Sequence, residues 1–183
     1  MNRPPAPVLV AISLPLLLAV VVGAIAVAAR LGAFDVPEVA ETSPLAVAPV
    51  DAPGATGPEC TALLTALPEQ LDAPDGPMPP RPLADPVQPG VRAWAAAPRP
   101  AVLRCGLPRP AELTPVAQLL VVNGVQWLKL DDGLPDPVVV TYVAVDRPTY
   151  VAFTTPVAAG ITPVQHISDV VGATLPAVPV AVR

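Results

Sequence analysis

Few side chains in this sequence could do chemistry, and their spacing argues mostly against catalysis. The 183 residues include one histidine and only three serines. His166, Ser168 and Asp169 are the residue types of an acyl-transfer relay. On one helix, however, side chains one and two positions apart diverge, so these three cannot form one. His166 reads as a solvated residue on the outer face of its helix. Asp131, Asp132 and Asp136 could be a calcium loop or a carboxylate pair, but the spacing is not that of an EF-hand. Asp131-Asp132-Gly133 ahead of Pro135 has the chemistry of a turn instead. A hydrolase acting on envelope polymers would need two convergent carboxyl groups with separated pKa values, and Asp146 and Asp136 are the acids it would draw on. There is no phosphate-cradling glycine loop and no clustered set of metal ligands. The sequence therefore assigns no catalytic residue, no metal site and no cofactor, and favours a protein that is not an enzyme.

Binding has better candidates. Arg81, Arg92, Arg99, Arg104 and Arg109 share their stretch with a single acid, Asp85. Guanidinium forks suit phosphate and carboxylate, so Arg99, Arg104 and Arg109, with Trp94 beside them, are candidate binding residues for an anionic ligand or an acidic partner. The competing reading has these arginines pointing to different faces and merely solvating a proline-rich loop. Trp94 and Trp127 are either ligand platforms or core residues, and core packing is favoured because tryptophan buries so much apolar area. After Arg30 the chain carries eight basic residues against 15 acidic ones, which argues against nucleic acid as a partner.

Compartment follows from the uncharged run between Arg3 and Arg30. Val8 to Ala29 would form a helix about 33 Å long, enough to span a hydrocarbon core of roughly 30 Å. Pro15 is tolerated in such a helix where neighbouring groups help satisfy the freed backbone. The alternative is a cleaved secretory signal, since Ala26-Val27-Ala28 has the small-x-small form, but signal cores are typically shorter. The run is thus expected to be a single-pass signal anchor at the cell membrane, with residues 1–7 as a short inner tail. The C-terminal part would lie outside the cytoplasm, or be secreted if the segment is cleaved. In that compartment Cys60 and Cys105 are expected to form a disulfide, and two buried thiols are the alternative.

These candidates need a framework, and the sequence outlines one. Residues 30–58 are rich in proline and alanine with one aromatic, and are expected to be an extended linker. Residues 59–183 are expected to be one exported domain. Cys60, Leu63, Leu64, Leu67 and Leu71 give a helical stripe that Pro68 ends or kinks. Ala101 to Cys105 reads as a strand, and Gln118–Val122 and Val125–Leu130 as a hairpin turning at Asn123-Gly124. Val138 to Val145 is apolar on both faces, so it is expected to be a central strand covered on two sides, paired with Thr149–Thr155. Thr162-Pro163-Val164-Gln165 has the pattern of a capping box, with helix expected from Pro163 to about Thr174 and Val164, Ile167, Val171 and Leu175 inward. The expected fold class is α+β: a small antiparallel sheet with an N-terminal and a C-terminal helix, preceded by one transmembrane helix.

Four segments carry a resemblance: Cys60 to Pro68, Val102 to Pro110, Val122 to Leu128 and Val145 to Tyr150. Together they resemble an uncharacterised actinobacterial family of unknown function. Its members resemble this chain in having one N-terminal membrane segment, a Pro/Ala linker and one small exported domain. The resemblance implies no reaction, ligand or catalytic residue. The functional expectation is a single-pass envelope protein whose exported domain binds a partner protein or an anionic envelope component, with a carboxylate-dependent hydrolase as the alternative.

Overall fold

The computed structural model describes residues 6–31, 39–131 and 133–182, with the side chains of residues 6–14 left undescribed. The chain divides into two units, Met1–Glu38 and Val39–Arg183. In the first, α1 (Ala6–Arg30) runs through Pro15, and Leu31 N donates to Val27 O at 3.0 Å to close its last turn. From Pro15 onward the helix is exposed, with Leu16, Leu17, Leu18 and Val20 at 64–66%. Among the described residues no helix is long and apolar enough to cross a membrane. The span expected over Val8 to Ala29 begins in the part of α1 whose side chains are not described.

The second unit is α+β. After α2 (Pro58–Ala66) come β1 (Val91–Trp94), β2 (Ala101–Leu107), β3 (Leu119–Val122), β4 (Val125–Leu130), β5 (Val139–Ala144) and β6 (Tyr150–Pro156), then a 3-10 turn and α3 (Thr162–Thr174). The strands form one antiparallel sheet in the order β1-β2-β6-β5-β4-β3. Alternation along each strand sends one set of side chains to each face. On the helix-covered face Leu103, Cys105, Trp127, Tyr142 and Phe153 pack with Cys60 and Leu63 of α2 and Val164, Ile167 and Val171 of α3. On the other face Leu128, Val143, Val145 and Ala152 pack with Leu113, and Val180 of the C-terminal tail lies against them. β5 therefore carries apolar residues on both faces, as its sequence led one to expect.

Local chemistry explains where the elements stop. Pro58 sits in the first turn of α2, where its missing N–H costs no helical bond. Pro68 pushes Leu67 into extended backbone, so the helix ends at Ala66 and the expected stripe is shorter than its leucines. Leu71 is buried all the same, because it pairs with Met78 in a separate bridge. Asn123 and Gly124 take the positive φ values, 46° and 77°, of the expected two-residue turn. In α3 the inward stripe is fully buried, but the capping box does not form. Ile161 occupies the cap position and Thr162 is already helical, so no side chain caps that end.

Two elements differ from expectation. β1 had no strand signature, being four residues with Arg92 and Ala93 between a Pro-Gly and a run of alanines. The stretch expected to be linker is, from Val39 on, a strap laid along the second unit. Leu45 bridges Leu83, with Leu45 N donating to Pro82 O at 2.8 Å and Ala84 N to Leu45 O at 2.9 Å. Farther on, Gly54 N donates to Gly106 O at 3.0 Å and Ala55 is buried. A segment too poor in apolar residues to fold alone can still be ordered by bonds to a sheet that already exists. Gly106 permits this. It sits at φ 86° in the bulge between Cys105 and Leu107, and a Cβ there would lie 2.2 Å from Ala55 N.

Candidate functional site

The expected disulfide is present: Cys60 of α2 is bonded to Cys105 of β2 across a Cα–Cα distance of 5.6 Å. It pins α2 to the sheet from the helix-covered face.

The arginines expected as one binding patch are divided along β2. Arg99 lies in the β1–β2 connection, Arg104 in the strand and Arg109 beyond its end. Two of the three are occupied by backbone. Arg104 donates to Ala48 O of the strap at 3.2 Å, and partial burial lowers its pKa from the ordinary guanidinium value. Arg109 donates to Ala181 O at 3.0 Å and also to Leu113 O, binding the C-terminal tail to the loop after β2. Arg99 is exposed. The fork that suits a phosphate also suits a row of carbonyls, and the sequence could not say which it would meet.

Trp94 is a core residue and no platform. It is fully buried, its indole N–H donates to Glu69 O at 3.1 Å, and it meets Phe153 edge to face at 6.2 Å between centroids. Trp127, fully buried as well, donates to Ser168 Oγ at 2.9 Å, and that hydroxyl donates to Val164 O at 2.6 Å. His166 instead approaches Asp72 at 3.5 Å, and Asp169 accepts from Asn123 Nδ2 at 2.8 Å. The three neighbours on α3 thus serve three different partners.

The carboxylates considered for hydrolysis do not converge. Asp136 is exposed, whereas Asp146 is buried with Arg147 Nη1 at 3.0 Å from its Oδ2. Arg147 also donates to Gly124 O at 3.3 Å and to Asp146 O at 2.9 Å, and Val178 N donates to Asp146 O at 2.9 Å. This pair ties the β3–β4 turn and the C-terminal tail to the body. Asp131 Oδ1 accepts from Gly133 N at 3.1 Å, the local bond of a turn, and Asp132 lies outside the described residues. Among the described residues no group of three or more His, Cys, Asp and Glu could hold a metal ion.

What the sequence missed is a groove of about 500 Å³ along the outer side of β1, lined by Glu69, Pro80, Arg81, Pro82, Leu83, Val87, Val91, Arg92 and Ala93. Arg81 is buried and engaged, with Nε donating to Ser43 O at 2.7 Å and Nη2 lying 3.1 Å from Glu41 Oε2. The Ser43 hydroxyl, then Arg81, hold the Glu41 carboxyl below its ordinary pKa. Arg92 differs. It is half-buried, its Nε is shut away from solvent, and among the described residues no hydrogen-bond partner meets that atom. A guanidinium N–H in that position lacks the acceptor that burial ordinarily demands. Glu69 supplies the groove's exposed carboxylate, and the prolines with Leu83 and Val87 supply apolar wall. Arg92 belonged to the arginine run noted in the sequence. Its special place follows from β1, which the sequence did not reveal.

Comparison with known proteins gives one match. The family described as "Protein of unknown function (DUF3515)" matches residues 10–180. No curated protein and no solved structure matches the chain.

Proposed function

We propose that this chain, which belongs to the DUF3515 family of unknown function, is a single-pass envelope protein whose exported domain binds an anionic envelope component in the groove beside β1. The carrying observation is Arg92, a half-buried cation that lines a groove of about 500 Å³ and whose buried Nε meets no hydrogen-bond partner among the described residues. A carboxylate or phosphate oxygen would meet the accessible part of that guanidinium with a charge-assisted bond, while the apolar wall takes the adjoining part of the ligand. Glu69 favours a ligand that also carries a donor, and it disfavours a bare polyanion by repulsion. The anchor reading draws on the uncharged run from Val8 to Ala29 and on the exposed apolar side chains of α1 from Pro15 onward. The disulfide agrees with an oxidising compartment outside the cytoplasm.

The test uses the full chain in neutral micelles, with phosphatidylglycerol and a carboxylate-terminated peptide as separate probes. Arg92→Gln should weaken binding of at least one probe about tenfold, the lower range for a lost charge-assisted hydrogen bond. Replacing Arg104 and Arg109, which are spent on carbonyls, should not lower affinity through charge at the groove. Equal binding by wild type and Arg92→Gln, or no binding of either probe, would sink the reading.

A further inference from the structure

Val116 to Val125 contains no charged residue and no proline. It includes β3, the last strand of the sheet, and Val116, Leu120 and Val121 are 88%, 42% and 65% exposed. Two observations fix which backbone groups face outward. The two-residue turn makes Val122 and Val125 a hydrogen-bonded pair, and Gln126 O accepts from Val145 N at 3.0 Å, so Gln126 turns toward β5. By alternation Leu120 bonds inward to Trp127, its register partner, and Leu119 and Val121 direct their N–H and C=O groups away from the sheet. Ala117 N is used locally, donating to Thr114 O at 3.0 Å. The outward window is therefore Leu119 to Val121. Natural sheets ordinarily blunt such an edge with charge, proline or a covering segment.

We infer that this edge pairs antiparallel with the same edge of a second copy of the chain, about a two-fold axis through Leu120. Leu119 and Val121 flank Leu120 symmetrically, so Leu119 of each copy meets Val121 of the other and four N–H···O=C bonds close at once. Leu120 meets Leu120 on the helix-covered side, and no like charges are brought together. The two-fold also sets charges of opposite sign across the seam. Lys129 lies in line with Gln118, on the side of the sheet that Tyr142 shares, because Lys129 pairs with Tyr142. Pairing puts Gln118 beside the second copy's Val122, so Lys129 is about 10 Å, two strand spacings, from that residue. Asp169 stands at the same hairpin end, accepting from Asn123 Nδ2 at 2.8 Å. Lys129, whose Nζ lies 3.7 Å from Asp131 Oδ2 of its own copy, is thereby brought toward Asp169 of the other copy. This charge complementarity selects a second copy over a foreign strand, and the short window makes the association concentration-dependent.

The described cysteines are both in the disulfide, so Leu120→Cys in the full chain adds one thiol, on the axis. In neutral micelles this variant should oxidise to a dimer at least tenfold faster than Val138→Cys, whose site is 51% exposed but far from the edge in sequence and sheet order. Leu120→Lys should raise the dimer dissociation constant at least tenfold in sedimentation, with the Cys60–Cys105 peptide recovered intact as the check on folding. Lys129→Glu and Asp169→Lys should each weaken the dimer and together restore it, which loss of the Asn123 contact alone would not do. Crosslinking of Leu120→Cys no faster than the control overturns the proposal, as does a full chain that stays monomeric at every concentration. Capture of a different protein by that thiol in native membranes overturns the second copy as occupant. These outcomes are independent of Arg92 and its ligand.

Discussion

The sheet ends in two strands of similar length, β1 and β3, that are treated in opposite ways. Along β1 the chain returns to cover the edge: Arg81 N donates to Ala93 O at 2.9 Å and Ala95 N to Pro79 O at 2.8 Å. Behind that cover lie the disulfide, the strap from Val39 and the buried Arg81. Along β3 the strand carries only apolar residues, and its hairpin is secured from behind by Arg147 on Gly124 O and Asn123 on Asp169. Covering an edge with proline and arginine prevents strand addition, and leaving one bare invites it. This small domain uses its low-complexity segments to close one side of the sheet. Its arginines are mostly fasteners for those segments, and Arg92 is the member of the run left facing a groove.

The largest effect should come from the covalent fastener of the closed side. Replacing Cys60 and Cys105 with alanine removes a crosslink spanning 45 residues, a loss of about 4 kcal/mol in the chain-entropy model. Denaturant unfolding of the full chain checks it. Amides of α2 and β2 should lose protection more than those of β3 and β4. Uniform loss across both ends would mean that the disulfide does not fasten the closed side in particular.

Next is the fastener of the open side. Arg147 is 6% exposed and paired with Asp146 at 3%, so Arg147→Met strands a buried carboxylate and should cost about 3 kcal/mol. It should also free the turn at Gly124. Adding Asp146→Asn should recover part of the loss, because the uncompensated charge is then gone. A single substitution without effect would mean that Asn123 and the apolar contacts are enough to hold the hairpin, and the two ends would differ less than their bonds imply.

Arg81→Met should cost about 2 kcal/mol, the range for hydrogen bonds to a charged group, since Ser43 O loses its donor. Exchange at Leu45 and Ala84, whose amides bond Pro82 O and Leu45 O, should accelerate, and exchange at Val145 should not.

Legibility in the sequence followed the same division. The β3–β4 hairpin could be read because Asn123-Gly124 forces its own turn and Val125 and Trp127 alternate with polar Gln126. β5, β6 and the buried stripe of α3 could be read because their periodicity is local. The closed side could not. Arg92 and Trp94 belong to a strand whose reason for existing is a partner strand and a returning Pro80–Arg81 segment, neither written into four residues. The strap was equally opaque, since its order comes from Gly106 and from arginines at positions 81 and 104, remote in sequence. The site residues fared accordingly. Cys60 and Cys105 followed from a compartment argument, whereas Arg99, Arg104, Arg109 and Trp94 were chosen by residue type, which does not reveal what a fork or a ring will touch.

The smallest effect concerns pH and reaches only the strap. Ser43 and Arg81 hold the Glu41 carboxyl below its ordinary pKa, so the ionised form is the one favoured by folding. A depressed carboxylate contributes stability at and above its unfolded-state pKa and loses it as pH falls through the lower folded-state value. Between neutrality and the ordinary carboxylate range the strap should therefore be unchanged, and below that range it should loosen. Glu41 is exposed, so solvent screening keeps the effect on global stability slight. The checking measurement is an NMR titration of the full chain following the Leu45 and Ala84 amides, with Glu41→Gln as the reference. The wild type should show an acid transition at these two positions that the variant lacks. An identical transition in both would detach Glu41 from the closed edge and leave Arg81 held by Ser43 alone.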